Sequence, residues 1–255
     1  MTKLVLIRQT IVWLLPVCIG SWGVTLLIGP ACLRPIYTLP PLLVDPVTAG
    51  PEAAALGLVP LTPDEQLDLA LATVAFLESW QPPDAAAAQL AQVMLPHTAA
   101  PLYNERELAH LLDVKQRTDF IRHLAWLTTI PVLGGLLFLL RRPETRPVAY
   151  AALRRGGASA QALFFCLGLI LVTLWPFFFY QFHGLFFPPG SWSFAPTDSL
   201  MRLFPESFFM AWALVLVGMI WITGVLLALL GLLLGKLAAN QNAAEGGSRV
   251  ANVVH

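Results

Sequence analysis

Residues 180–209 read YQFHGLFFPPGSWSFAPTDSLMRLFPESFF and lie between two long apolar runs. The stretch is crowded with aromatics, yet it also holds His183, Asp198, Arg202 and Glu206. Rings beside apolar segments suit the boundary between lipid and water, because each ring has an apolar body and a wettable edge. A histidine and an aspartate at such a boundary point to chemistry at a membrane surface.

The composition agrees. Of 255 residues, 57% are hydrophobic and 12% are charged, and the mean hydropathy is +0.70. Soluble domains carry about twice that charged share. The formal net charge is zero, which argues against a nucleic-acid partner. Cys18, Cys32 and Cys166 are too few for a disulfide framework and sit in apolar settings. No Cys/His pair has zinc-ligand spacing, so neither a metal nor another cofactor is expected. The first apolar run has no small-residue cleavage site and reads as an anchor.

Crossing a bilayer takes about 20 apolar residues. Four stretches qualify: about Thr10–Ile28, Leu124–Leu140, Ala160–Phe179 and Phe208–Leu234. Basic residues favour the cytoplasmic side. Lys3 and Arg8 precede the first stretch. Arg141, Arg142, Arg146, Arg154 and Arg155 fill the link between the second and third, and Lys236 and Arg249 follow the fourth. Both termini and that link are therefore expected inside. The expected architecture is all-α: a four-span membrane domain over 1–237. Its extracytoplasmic parts are a helical segment at 30–123 and a second loop at 180–207. Residues 238–255 read as a disordered cytoplasmic tail.

Residues 35–60 are Pro-rich and read as extended chain. Thr62-Pro63-Asp64-Glu65 is then a helix start. Thr62 serves as cap, Pro63 as first helical residue, and Glu65 completes a capping box. That helix is expected to reach about Trp80, with Leu67, Leu71, Val74 and Leu77 on its apolar face. An Ala-rich helix from Asp84 to Leu95 follows. Asn104 and Glu107 form a second capping pair. One long helix is expected from Glu105 into the second span, kinked at Pro131. Pro176 should bend the chain where the third span ends.

Histidine is the side chain best suited to exchanging protons near neutral pH. His110 and His183 both fall on the expected outer side near a membrane boundary. Either alone also reads as a structural histidine; as a facing pair they read as a site. His97, His123 and His255 read as structural or solvated. Asp113 lies one turn beyond His110 and could orient its ring, or pair with Lys115 or Arg117. Glu105 fits either a supporting or a surface role, and Glu107 reads as a cap. Asp198 is either supporting or the cap of a helix over Ser199–Phe204. Arg202 fits an anionic head group, or snorkels to the interface. Phe186, Phe187 and Trp192 serve as lipid anchors or substrate contacts. Asn104 and a backbone N–H near Gly184 are candidate oxyanion donors. No G-x-S-x-G elbow, phosphate loop or H-E-x-x-H zinc helix is present. If an acyl chain is transferred, the attacking group then belongs to the substrate. Two other readings remain: a membrane hydrolase, metal-dependent through His110, Asp113, His183 and Asp198, and a non-catalytic assembly factor.

Two stretches resemble one family. Leu102-Tyr103-Asn104-Glu105-Arg106-Glu107-Leu108-Ala109-His110-Leu111-Leu112-Asp113-Val114-Lys115 is similar to its F-N-x-R-E-x-x-H-M-x-D-V-K segment. Phe182-His183, Phe186-Phe187, Trp192, Phe194, Asp198, Pro205 and Phe209 follow its F-H-x-x-F-F … W-x-F … D-x-L-I … P-x-x-F-F segment. Leu111 stands where the family often has Met, and Met201 where it often has Ile. The family is the bacterial lipoprotein intramolecular transacylases, Lit. The resemblance implies a cytoplasmic-membrane acyltransferase acting on diacylglyceryl-modified lipoproteins amid membrane lipid. It moves the sn-2 acyl chain to the α-amino group of the N-terminal cysteine. It maps the family's two essential histidines onto His110 and His183. Asp113, Asn104, Glu105 and Asp198 then support them, and Tyr103, Phe186, Phe187, Trp192 and Arg202 contact substrate or lipid. Acyl-chain preference and oligomeric state stay open.

Overall fold

The computed structural model describes residues 2–37, 58 and 61–253, with side chains to 241 and at 243. The Pro-rich segment expected to be extended falls mostly outside the described residues. In chain order the helices are α1 (Thr2–Leu27), α2 (Pro30–Tyr37), α3 (Pro63–Glu78), α4 (Pro83–Leu90) and α5 (Glu105–Leu140). A 3₁₀ turn at Pro143–Thr145 precedes α6 (Arg146–Thr173), α7 (Trp175–Phe186), α8 (Ser199–Leu203) and α9 (Glu206–Val253). No strand occurs among the described residues; Met94 and Pro101 form an isolated bridge. The described residues form an all-helical fold, as the four long apolar runs imply.

Four helical segments are long and apolar enough to cross a membrane: Thr2–Leu27, Glu105–Leu140, Pro143–Thr173 and Glu206–Gln241. Glu105–Arg122 carries the charges of α5, so its apolar, spanning part is the later half. Large apolar side chains on these helices, including Trp13, Leu127, Ile130, Val172 and Leu226, are more than half exposed. Such a surface is stable against lipid and unstable against water.

Two compact units are present. The first comprises Met1–Trp22, His123–Leu167 and Val217–His255. Its core gathers Ile11, Leu139, Ala149 and Ala152. There α6 and α9 approach at backbone distance. A Cβ on Gly157 would lie 2.5 Å from the Gly224 carbonyl oxygen, and one on Gly231 2.6 Å from the Arg154 nitrogen. Small residues give apolar helices this close approach, where dispersion rather than water expulsion drives association.

The second unit comprises Gly23–Arg122 and Gly168–Leu216. Its centre is α3, which packs on α2, α4 and α8. The capping box is formed: Thr62 accepts from the Glu65 N–H at 3.3 Å, and Glu65 accepts from the Thr62 N–H at 2.8 Å. The buried face differs from the expected one. Leu69, Ala70, Thr73, Val74 and Phe76 are buried, while Leu67, Leu71 and Leu77 are only half-buried. With elements on several sides of α3, leucine spacing alone does not pick out the buried face.

Three boundaries also differ. The Ala-rich helix α4 stops at Leu90, and the chain then turns into the Met94–Pro101 bridge. The third apolar stretch is divided at Leu174. The last helix runs through Val253, beyond the Leu237 limit read from sequence. No proline follows Pro205, and Ala-rich 238–244 has high helix propensity despite its polarity.

Candidate active site

His183 owes its position to the break in the third apolar stretch. Leu174 leaves helical geometry at φ −131° and ψ 34°, and α7 restarts with Pro176 in its first turn. A first-turn proline is tolerated because its missing N–H would have had no partner there. In the last turns of α7, the His183 Nδ1 lies 2.8 Å from the Phe179 carbonyl oxygen. A carbonyl only accepts, so Nδ1 carries the proton. In the neutral ring Nε2 is then a proton acceptor. Burial pushes the His183 pKa below the ordinary imidazole value, against the weaker opposing effects of the Phe179 carbonyl and Glu206. The ring is therefore neutral near pH 7.

His110 stands in the second turn of α5 and is 7% exposed. Its ring lies between Phe187 and Phe194, with centroids 4.8 and 5.3 Å away. Its Nδ1 is buried with no partner among the described residues. Phe187 also packs on His183 at 5.7 Å. Two imidazoles from separate helices thus rest on one phenyl ring. Trp192 lies against the other side of the cluster, 4.9 Å from His183 and 5.3 Å from Tyr180.

Glu107 builds the frame. Asn104 and Glu107 exchange bonds as a capping box, at 2.8 and 2.9 Å. The second Glu107 oxygen accepts the Leu200 N–H of α8 at 2.7 Å. Beside it, the Arg106 guanidinium donates to the Ser193 carbonyl and covers the Phe194 ring at 5.0 Å. The first turn of α5 therefore holds the loop over 188–198 and the start of α8. Further along α5, fully buried Lys115 donates to both Asp119 oxygens at 2.9 Å and to the Ser79 carbonyl at 2.6 Å. Arg122 donates to the Leu77 carbonyl at 3.0 Å and covers Trp80 at 4.6 Å. These cations satisfy the carbonyls at the end of α3, where the helix dipole favours positive charge.

Several expected roles change. Asp113 is half-buried on α5 and makes no hydrogen bond to His110, whose Nδ1 is without a partner. Asp198 precedes α8, but its carboxylate turns back to the Ala195 N–H at 2.7 Å; Glu107 takes the capping position instead. The Asn104 side-chain oxygen is used in its own cap, and Glu105 is exposed on the first turn of α5. Tyr103 is not a lipid contact: it is 4% exposed and its hydroxyl bonds Thr73 at 2.7 Å. Arg202 is 5% exposed in α8, so it does not snorkel, and burial lowers its pKa. Phe186 is exposed, whereas Phe187 is buried against the histidines. His97 pairs with Glu65 at 2.8 Å, a structural role. The four residues weighed as a zinc set do not converge; among the described residues no three His, Cys, Asp or Glu side chains form such a group. Sequence reading missed the second bond of Glu107 and the burial of Lys115. The four-residue spacing of Lys115 and Asp119 was the one local signal.

The model of a family described as Lipoprotein intramolecular transacylase Lit matches residues 88–209. Over that stretch, a little under half of the chain, the sequence is similar to the Lit family. The Lit match takes in both histidines, Glu107, Phe187, Trp192 and α8. The structure of membrane-integral Lit from Bacillus cereus superposes with a TM-score of 0.69 at 18% identity, covering 95% of this chain and 99% of that one. A Lit variant of the same organism, with arginine in place of one histidine, gives 0.66 at 19% identity, covering 94% and 95%. At such identity the likeness establishes a shared Lit fold. An uncharacterized protein of Aquifex aeolicus (strain VF5) is 28% identical over 131 residues, 51% of this chain. The match spans 57% of that relative's length.

Proposed function

We propose that the protein is a membrane acyltransferase that moves the sn-2 acyl chain of a diacylglyceryl lipoprotein onto the α-amino group of its N-terminal cysteine. One observation carries the reading. Buried His110 and half-buried His183 rest on the same Phe187 ring; the His110 Nδ1 is buried with no partner among the described residues, and the bond from His183 Nδ1 to Phe179 leaves its Nε2 as an acceptor. A buried polar atom is normally paired, and an unpaired imidazole nitrogen beside a second imidazole with an acceptor nitrogen suits a substrate that exchanges protons. The reaction needs no serine or cysteine, because the amine attacks. The amine loses a proton, and the departing glycerol oxygen gains one. His183 Nε2, fixed as an acceptor, suits the first task, and the imidazolium it becomes returns that proton to the glycerol oxygen, directly or through His110. Nucleophile and ester share one molecule, so positioning supplies much of the rate.

The setting of this reaction is part of the proposal. The distribution of basic residues supports a topology with both termini and the 141–155 link in the cytoplasm, and segments 30–123 and 180–207 on the outer face of the cytoplasmic membrane. The histidines then meet lipoproteins there. Exposed Phe182 and Phe186 of α7 offer a greasy entry for the acyl chain from surrounding lipid. Mass spectrometry of a reporter lipoprotein's N-terminal peptide tests the reading. Wild type should give the N-acyl, lyso-glyceryl form. His110→Ala and His183→Ala should each abolish it while the protein still accumulates in the membrane. A variant that still transfers the chain removes that histidine from the mechanism.

A further inference from the structure

Attack on an ester places negative charge on the carbonyl oxygen, and neither histidine in the roles above neutralises it. Asn104 is exposed, with its side chain turned to the cap that its oxygen forms, and Gly184 lies inside α7, where its N–H enters the helical ladder. One donor near His183 is unspent. The Trp192 Nε1–H is buried with no partner among the described residues, on a ring 4.9 Å from the His183 imidazole and inclined to it by 33°. An indole nitrogen only donates. Burying it unpaired disfavours the folded state, so its retention beside the imidazole pair calls for an acceptor that arrives with the substrate.

We propose that Trp192 donates its Nε1–H to the carbonyl oxygen of the acyl group in transit. This rests on the acyl-transfer reading. The amine nitrogen forms the new C–N bond as the carbonyl π pair moves onto oxygen, and the indole N–H stabilises the resulting oxyanion. Collapse restores the C=O bond and breaks the bond from carbon to the glycerol oxygen. That oxygen takes a proton from the histidine pair, and Trp192 keeps its own. The indole bond is stronger to the oxyanion than to the ester carbonyl, so it acts on the barrier rather than on binding.

The test replaces Trp192 with 3-benzothienylalanine, which keeps shape and stacking but has sulfur in place of N–H, alongside Trp192→Phe. Transfer is followed with the purified full chain and a diacylglyceryl lipopeptide. For the isostere we expect kcat lower by about 10²–10³-fold, with KM little changed. The thermal midpoint should be unchanged or higher, because an unpaired buried donor is gone. An isostere with wild-type kcat overturns the proposal. So does one whose loss of activity follows a lowered midpoint that Trp192→Phe shares. Wild type that makes no N-acyl product overturns the acyl-transfer reading, and this assignment with it.

Discussion

The phenyl ring of Phe187 excludes water from both imidazoles, touching His110 at 4.8 Å and His183 at 5.7 Å. The consequence for titration has a definite sign. Burial holds the His183 pKa below its usual value of about 6.5. A histidine depressed in this way is fully neutral above the unfolded value, and its neutral form is lost as pH falls through the lower folded one. The acid limb of kcat/KM should therefore lie below pH 6.5, and stability should decline on acidification through the same window. Phe187→Ala would admit water and relieve the desolvation. Its acid limb should move up toward the ordinary imidazole value while the maximal rate falls. The check is a pH profile on lipopeptide substrate in detergent. A limb that Phe187→Ala leaves unmoved would assign the titrating base to another group.

At the scale of elements, the legible features are local and the illegible ones join distant segments. Thr62 with Glu65, and Asn104 with Glu107, follow from three-residue spacing, and both helix starts form as read. Pro176 likewise marks the end of a helix, though it falls in the first turn of the next one. Nothing near Glu107 reveals that its other oxygen reaches Leu200. Nor does the sequence around Asp198 show that its cap is supplied by another helix. Lys115 looks like a solvated residue until α3 covers it. Glu107→Ala should leave two backbone donors without partners, at about 1–3 kcal/mol each. Glu107→Gln retains one acceptor oxygen and should lose less. Thermal unfolding in detergent should rank wild type above Gln and Gln above Ala. Transfer activity should follow that order, because α8 loses its tether to the first turn of α5, the helix that carries His110. Equal midpoints for all three would mean that water satisfies those donors.

For the whole molecule, four apolar runs announce four long helices, and the lipid-facing side chains explain why that signal survives without periodicity. Both sides of such a helix are apolar, so hydropathy marks a span even where no buried face can be predicted. Charge then supplies direction. The basic residues at 3, 8, 141, 142, 146, 154, 155, 236 and 249 fall on alternate ends of the successive runs, and the proposed topology puts those ends in the cytoplasm. Cysteine accessibility tests this arrangement against its inverse. In a chain whose Cys18, Cys32 and Cys166 are replaced by alanine, Thr197→Cys should react with a membrane-impermeant maleimide in intact cells. Glu144→Cys should react only after the membrane is opened; both positions are exposed on the protein, so burial does not confuse the result. Labelling in the reverse order would put the histidine pair on the cytoplasmic side, away from translocated lipoproteins, and would overturn the proposed setting of the reaction.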